Sequence, residues 1–574
     1  MVSLRALLLI GMTPLALCAC STMRQAAAQP VETHVGESPF GLYLAGQAAQ
    51  SNGESAAAAE LLNRAAAAAR NPEGAGFLAG QAFVAALLAG DVGKAAELAP
   101  SGPEVEPAMQ HLGELVRGVE AMAQNKTAVA RAQLKLAEVD HGAGPAAALL
   151  SPFASAQAGD VQASFVQPVI AGDPVAQFFA RLDQGKLFER ARHYDEAETA
   201  FRSLIARGDP GGIASLELGR MLERRGRGAE AVAIYDAALA RSKGDDTLLA
   251  ARANAANKRS PPALPSLRAD AAEALMAPAS VASSRKDEEA ALYDVRLALR
   301  LDPTRDEAWL LLGDTLDNLG DKQAARLAYG KPRRGSPQYQ AARAKLAWSY
   351  QAQGQKEQAL VIARQTLAAD PKDRSAATNL ADLLRSDERY EDSAKVLDAI
   401  ITAEGGEADW KLLYMRAVDA EQSGRWEAAE ADLKRALALQ PDEPELLNFL
   451  GYSWIDRGER LPEALEMVQK AVNMDPHSGA MLDSLGWGYF RLGDYPKAVE
   501  QLEAAAALDP ADPDVNDHLG DAYWRVGRKL EARFQWRRVL TLEPPAKLRA
   551  QVQTKIDKGL DGPAAPSQVA EGQQ

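Results

Sequence analysis

Cysteine is almost missing from this chain of 574 residues: Cys18 and Cys20 are the only two, both close to the N-terminus. No disulfide framework can hold the rest together, so stability has to come from packing. Histidine is scarce as well. His34, His111, His141, His193, His477 and His518 make up the whole set, none pairs with another at a metal-ligand spacing on one helix, and no His-Glu-x-x-His occurs. A Gly-x-Ser-x-Gly elbow, a dinucleotide fingerprint and a phosphate loop are all absent; Gly93-Lys94 and Gly185-Lys186 lack the earlier glycine and read as turn residues. Basic charge is outweighed, with 64 Lys and Arg against 78 Asp and Glu and a net charge of −14, which leaves no cationic track for nucleic acid. Past the N-terminus no apolar run approaches membrane-spanning length. The expectation is a chain with no catalytic residues, no cofactor, no metal and no nucleic-acid partner.

What the sequence has in quantity is repetition. Gly or Ala recurs at Ala279, Gly313, Ala347, Ala381, Ala417, Gly451, Gly486 and Gly520, at intervals of 34 apart from one of 36 and one of 35. A period of this length marks a helical repeat array. Each anchor brings a second small residue twelve or thirteen positions on, at Ala291, Ala325, Ala359, Ser393, Ala429, Ala464, Ala498 and Ala532, which suggests two helices brought close at facing small residues. Seven positions after the anchor comes a turn glycine, at Gly320, Gly354, Gly424, Gly458, Gly493 and Gly527, suited to the positive φ that ends a helix. Large residues Tyr350, Trp454, Tyr489 and Tyr523 follow the anchor by three, the second helix adds Tyr329, Leu433, Leu502 and Trp536, and Pro303, Pro371, Pro441, Pro476, Pro510 and Pro544 close many units. This resembles the tetratricopeptide (TPR) pattern. The fold it implies is all-α, a TPR solenoid wound as a right-handed superhelix of helical hairpins.

The pattern divides the chain. Eight regular units run over 279–544, and 151–278 holds further units around Gly185 and Gly219, with irregular segments near 151–180 and 243–275 that read as degenerate units or bends. Residues 38–150 read as degenerate alanine-rich hairpins, with anchors near Ala45 (Ala57), Phe83 (Gly90, Ala95) and Gly118 (Ala130). In 545–561, Leu548, Val552, Ile556 and Leu560 recur every four positions and suggest a capping helix, followed by a small, polar tail over 562–574 expected to be disordered.

The N-terminus carries Arg5, then the apolar stretches Ala6–Ile10 and Leu15–Ala19, too short to span a bilayer and shaped like a secretory signal. It ends Leu17-Cys18-Ala19-Cys20-Ser21, which resembles the lipobox of bacterial lipoproteins, with a branched residue three before Cys20 and a small one immediately before it. The resemblance implies that 1–19 is a signal peptide, that Cys20 is the lipid-attachment site, and that 20–37 is a tether. Two or more acyl chains on one cysteine anchor durably. Ser21, not being aspartate, permits export to the outer membrane in that pattern, so the expected location is the outer membrane, facing the periplasm, held by lipid alone.

In a TPR hairpin the first helix lines the concave face through residues three before, one after, and four or five after the anchor. In the last three units these are Asn448, Tyr452, Ile455 and Asp456; Asp483, Trp487, Phe490 and Arg491; Asp517, Asp521, Trp524 and Arg525. Amides and carboxylates repeated at one level can hold a peptide backbone, and aromatics can take its side chains. Trp487, Phe490 and Trp524 can equally pack on the neighbouring hairpin. His518, two before its anchor, reads as a packed or hydrogen-bonded histidine. The basic stretch Arg525, Arg528, Lys529, Arg533, Arg537 and Arg538 is either a surface for an acidic partner or a solvated face paired with nearby acids.

Asn516 through Lys529, with Glu531-Ala532, Gln535-Trp536, Leu450-Gly451-Tyr452, Asp456-Arg457-Gly458 and Asp483 through Trp487, is similar to the long TPR-repeat outer-membrane lipoproteins of diderm bacteria, the LbcA type. The likeness in motifs covers roughly 445–545; the N-terminal half matches in layout only. It implies a non-enzymatic adaptor whose partners are a periplasmic carboxyl-terminal processing protease and peptidoglycan hydrolases. Similar TPR lipoproteins serve outer-membrane protein assembly, polysaccharide export or pilus assembly, which is the alternative reading. No individual contact residue carries over from the resemblance.

Overall fold

The computed structural model describes residues 38–560 apart from 70–71, 103–104, 138–143, 171 and 404–408. The signal peptide, Cys20, the tether and the tail over 562–574 lie outside the described residues. Everything regular among the described residues is helical, and within each unit most helices pair with the next along the chain and touch the following pair. The chain forms two compact units, Met1–Pro278 and Ala279–Gln574.

In the second unit the repeat chemistry is visible in each hairpin. Pro444–Arg457 pairs with Leu461–Met474, Gly479–Leu492 with Tyr495–Leu508, and Pro513–Arg525 with Lys529–Thr541. Helix starts are set by capping carboxylates and hydroxyls: Asp287, Asp321, Asp373, Asp409, Ser478, Asp494 and Asp512 each accept from a backbone N–H in the first turn. Part of the chain's acidic excess is thus structural. The turn glycines all take positive φ, between 73° and 89°. In units without glycine there, Asn125, Arg192, Lys286 and Glu388 adopt the same left-handed conformation, so the turn geometry persists although its sequence mark does not.

The anchor works differently from the expectation of two small residues face to face. A Cβ on Gly313 would sit 2.3 Å from the Tyr329 ring, one on Gly486 2.6 Å from Leu502, and one on Gly520 2.5 Å from Trp536. The anchor is therefore a hole for the large residue sixteen positions later on the second helix. The small residues twelve or thirteen positions on fill a separate slot and are fully buried throughout, from Ala291 to Ala532. Applied to the first unit, the same sixteen-residue relation pairs Gly46 with Leu62, Gly118 with Leu134, Gly185 with Phe201 and Gly219 with Tyr235. The first anchor is thus Gly46 with buried Ala58, one residue on from Ala45 and Ala57; Ala57 is exposed.

The two irregular segments differ from each other. Near 151–180 a hairpin survives with its second helix cut to one turn: Gly144–Gln157, with Pro152 inside it, is followed by Val161–Ser164. In 243–275 only a first helix forms, Asp246–Ala256. Pro261, Pro262 and Pro265 prevent a second one, and 259–266 is irregular before the short helix Leu267–Ala274. That helix does not pair with its predecessor. It packs on Gly144–Gln157 and Pro174–Arg190 instead, so this segment is a strap returning over the first unit rather than a degenerate hairpin.

Candidate functional site

Residues three before, one after and four or five after an anchor share one face of the first helix, because those spacings bring them round by whole turns. Helices Pro444–Arg457, Gly479–Leu492 and Pro513–Arg525 touch in sequence and align these faces.

Asp483, Trp487 and Phe490 come together with a residue that the offset rule leaves out. His518 Nδ1 lies 3.0 Å from each Asp483 carboxylate oxygen, and the Trp487 ring stacks on both the His518 ring (4.2 Å, 14°) and that of Phe490 (4.7 Å, 8°). Burial works against a charge on His518, yet the field and hydrogen bond of Asp483 more than reverse it and raise the imidazole to about 9. A cation thus sits against the Trp487 face. Trp487 remains partly open, and its Nε1 has no hydrogen-bond partner among the described residues. One helix earlier on the same row, the Asn448 Oδ1 is likewise buried without a partner. Tyr452 is half-buried between them in register, its hydroxyl pKa raised by burial and then by Asp456 and Asp483. A donor and an acceptor left unmatched inside a protein cost free energy; these two stand on adjacent first helices beside the partly open ring stack.

The remaining candidates fall elsewhere. Asp456 is exposed and its main-chain carbonyl accepts from Arg491 Nη1 at 2.6 Å. Asp517 and Asp521 are taken up by Lys555 of the terminal helix Ala546–Lys558: its Nζ is 2.8 and 2.7 Å from the Asp517 oxygens and 2.8 Å from Asp521 Oδ2. Asp521 also accepts from Trp536 Nε1 at 3.0 Å. Trp524 packs, with Trp536 at 5.4 Å and Gly559 against its ring; Arg525 is half-buried beside it in sequence. Leu548, Val552, Ile556 and Leu560 join the same core cluster. The terminal helix occupies the place of a ninth first helix, and Lys555 stands in its groove row. Carrying the 34-residue register one step beyond Gly520 would have located it. Of the basic stretch, Arg528 pairs with Glu503 and Glu531, and Arg538 donates to the Pro510 carbonyl, as a solvated, locally paired face does.

Since the folded His518 is raised above an ordinary histidine near 6.5, its contribution is complete below about pH 6.5 and is lost as pH climbs through 9. Wild-type stability is expected to decline across that window by on the order of 2 kcal/mol more than that of His518→Gln. Parallel denaturation midpoints for the two proteins from pH 6 to 9 would refute the pairing.

Among the described residues no helix is long and apolar enough to cross a membrane, and no cluster of three or more His, Cys, Asp or Glu could hold a metal ion.

Comparison with known proteins places the repeats in a family. Tetratricopeptide-repeat models match residues 182–246, 344–408 and 414–479, and 306–331, and a TPR-repeat model matches 488–527. The TPR repeat-containing protein PA4667 of Pseudomonas aeruginosa is 41% identical over 85 residues, which are 15% of this chain and 14% of that protein. Similar solved structures include a tetratricopeptide repeat protein from Parabacteroides merdae (14% identical, TM-score 0.35, 50% of this chain and 99% of that one). Two others are the APC/C hetero-tetramer Cut9–Hcn1 (15%, 0.38, 92% and 98%) and YrrB, described as a TPR protein with an unusual peptide-binding site (21%, 0.26, 30% and 88%). Hairpin geometry, sixteen-residue anchor pairing and the repeat-model matches agree, and the matched stretches of the chain are tetratricopeptide repeats.

Proposed function

We propose that the second unit binds an extended protein segment along Asn448, Tyr452, Asp483, Trp487 and His518, and that the chain is a lipid-anchored periplasmic adaptor joining a carboxyl-terminal processing protease to cell-wall hydrolases. TPR hairpins are scaffolds for protein–protein interaction, and the repeat matches support that role for this chain. The observation that carries the binding site is the partly open stack of Phe490, Trp487 and His518, with the unmatched Asn448 Oδ1 and Trp487 Nε1 just beneath that face. Acidic Asp456 and Asp514 are both exposed on this part of the unit, which favours a segment that brings N–H donors or basic side chains.

The location is supported by the lipobox-like ending at Cys20, and the protease partnership by the resemblance over 445–545. Neither depends on the groove, so they are tested separately. Tagged lipoprotein purified from mildly crosslinked membranes is expected to bring down the processing protease and cell-wall hydrolases; recovery of outer-membrane assembly or export machinery without them contradicts the partnership. Trp487→Ala with Asn448→Ala is expected to weaken partner binding at least about tenfold, or roughly 1.4 kcal/mol, with helicity retained. Unchanged affinity in the folded variant would move the site elsewhere.

A further inference from the structure

The first unit has cations at the same face positions that line the groove of the second. Lys186 follows the Gly185 anchor by one and Arg190 by five, and Arg224 follows Gly219 by five. All three are engaged by the chain's own strap. Arg224 Nη1 donates to the Pro262 carbonyl at 3.2 Å, while its other nitrogens hold Glu189. Arg190 donates to the Pro265 carbonyl and to Asp270 at 2.6 Å, and Lys186 pairs with Glu273. In the reverse direction Arg268 donates to the Ala123 carbonyl at 3.0 Å.

Guanidinium groups on successive first helices hold main-chain carbonyls of a proline-bearing stretch, and Arg190 with Lys186 then holds carboxylates on a helical turn. That is how a groove grips a peptide ligand, and here the peptide is covalently attached. Its fit is incomplete. Asp183 is buried, 3.8 Å from Lys186, and both its oxygens lack a hydrogen-bond partner; burial, against the pull of Lys186, and then Glu273 and Asp270 push it up to about 8. An occupant that places two further carboxylates near a buried one gives up part of what its own ion pairs supply.

We propose that residues 260–274 are a tethered occupant of a second peptide-binding groove, and that this groove takes a partner-protein segment of the same chemistry, a proline-containing irregular stretch followed by a turn with two carboxylates, when the strap leaves. This site is independent of the one in the second unit, so the two readings fail separately.

The test uses the full chain and a labelled synthetic peptide of residues 258–276. Asp270→Asn with Glu273→Gln loosens the strap, and this variant is expected to bind the peptide at least tenfold more tightly than wild type, with the gain lost on adding Arg190→Ala. A folded variant that binds no more tightly overturns the proposal. If the variant loses helicity, hydrogen exchange on the wild-type chain decides: strap amides over 267–275 are expected to exchange ahead of the flanking hairpins, and faster still with excess peptide. Exchange of the strap only together with the hairpins, indifferent to peptide, would make it a permanent part of the core and overturn the proposal.

Discussion

Lys555→Met is expected to destabilise the C-terminal end of the second unit by about 3–5 kcal/mol near neutral pH. Lys555 lies between two carboxylates that are almost inaccessible, Asp517 and Asp521. Burial opposes its charge, and Asp521 and Asp517 overcome that and raise its pKa. Removing the cation leaves both acids buried without their counter-ion, while Met preserves most of the apolar stem that packs there. Burial already raises Asp521, so in the variant Asp521 takes up a proton readily and the deficit should shrink as the pH falls toward 5. Adding Asp517→Asn and Asp521→Asn should recover most of the loss, because the asparagine carbonyl can still accept from Trp536. Hydrogen exchange over 546–558 reads the effect locally. Equal protection in wild type and Lys555→Met would show that the terminal helix is held by its apolar face alone.

Gly313→Val should be nearly as damaging, at about 3 kcal/mol or more, for a different reason. The Tyr329 ring already occupies the space where a Cβ would go, it is 3% exposed, and its hydroxyl is fixed to Asp314 at 2.8 Å. The ring can yield only by leaving its pocket, so the hairpin must open or the tyrosine must lose its hydrogen bond. Gly228→Ala is the control. Nothing lies within 4 Å of a Cβ there, and at a helix start this change is expected to be neutral or stabilising by a few tenths of a kcal/mol. Similar denaturation midpoints for Gly313→Val and Gly228→Ala would contradict the anchor as a hole for the second helix.

The hairpins were legible because their determinants are local and repeated. A small residue, a turn glycine seven later and a closing proline each act within one unit, and recurrence separates them from chance. The partner of the anchor was harder to read, because a small residue marks a hole without saying what fills it; the sixteen-residue relation needs the second helix in place. In the first unit alanine occupies so many positions that spacing cannot choose between neighbours, which is how Gly46 reads as Ala45. The strap was not legible at all. Its proline run marks an interruption, but its contacts join residues 38 to 145 apart in sequence, and no period reports them.

The groove row was readable from offsets, its state of occupation was not. Asp517 stands in the register of Asn448 and Asp483, and Asp521 in that of Trp487, yet the first pair is covered by the terminal helix while Asn448 and Trp487 keep an unmatched acceptor and donor. The difference comes from Lys555, outside the regular repeats. His518 had the opposite fate: an isolated histidine on a helix became the residue that orients Asp483 and backs Trp487.

Site-specific photo-crosslinking in cells would test the groove most directly. A photoreactive phenylalanine analogue replaces Tyr452 in one full-length chain and exposed Glu466, on the second helix of the same hairpin, in another. Binding along the first-helix face requires protein adducts from position 452 that are scarce from 466 and disappear when Trp487→Ala is added. Adducts of equal yield from both positions, or adducts at 452 that survive the loss of Trp487, would contradict it.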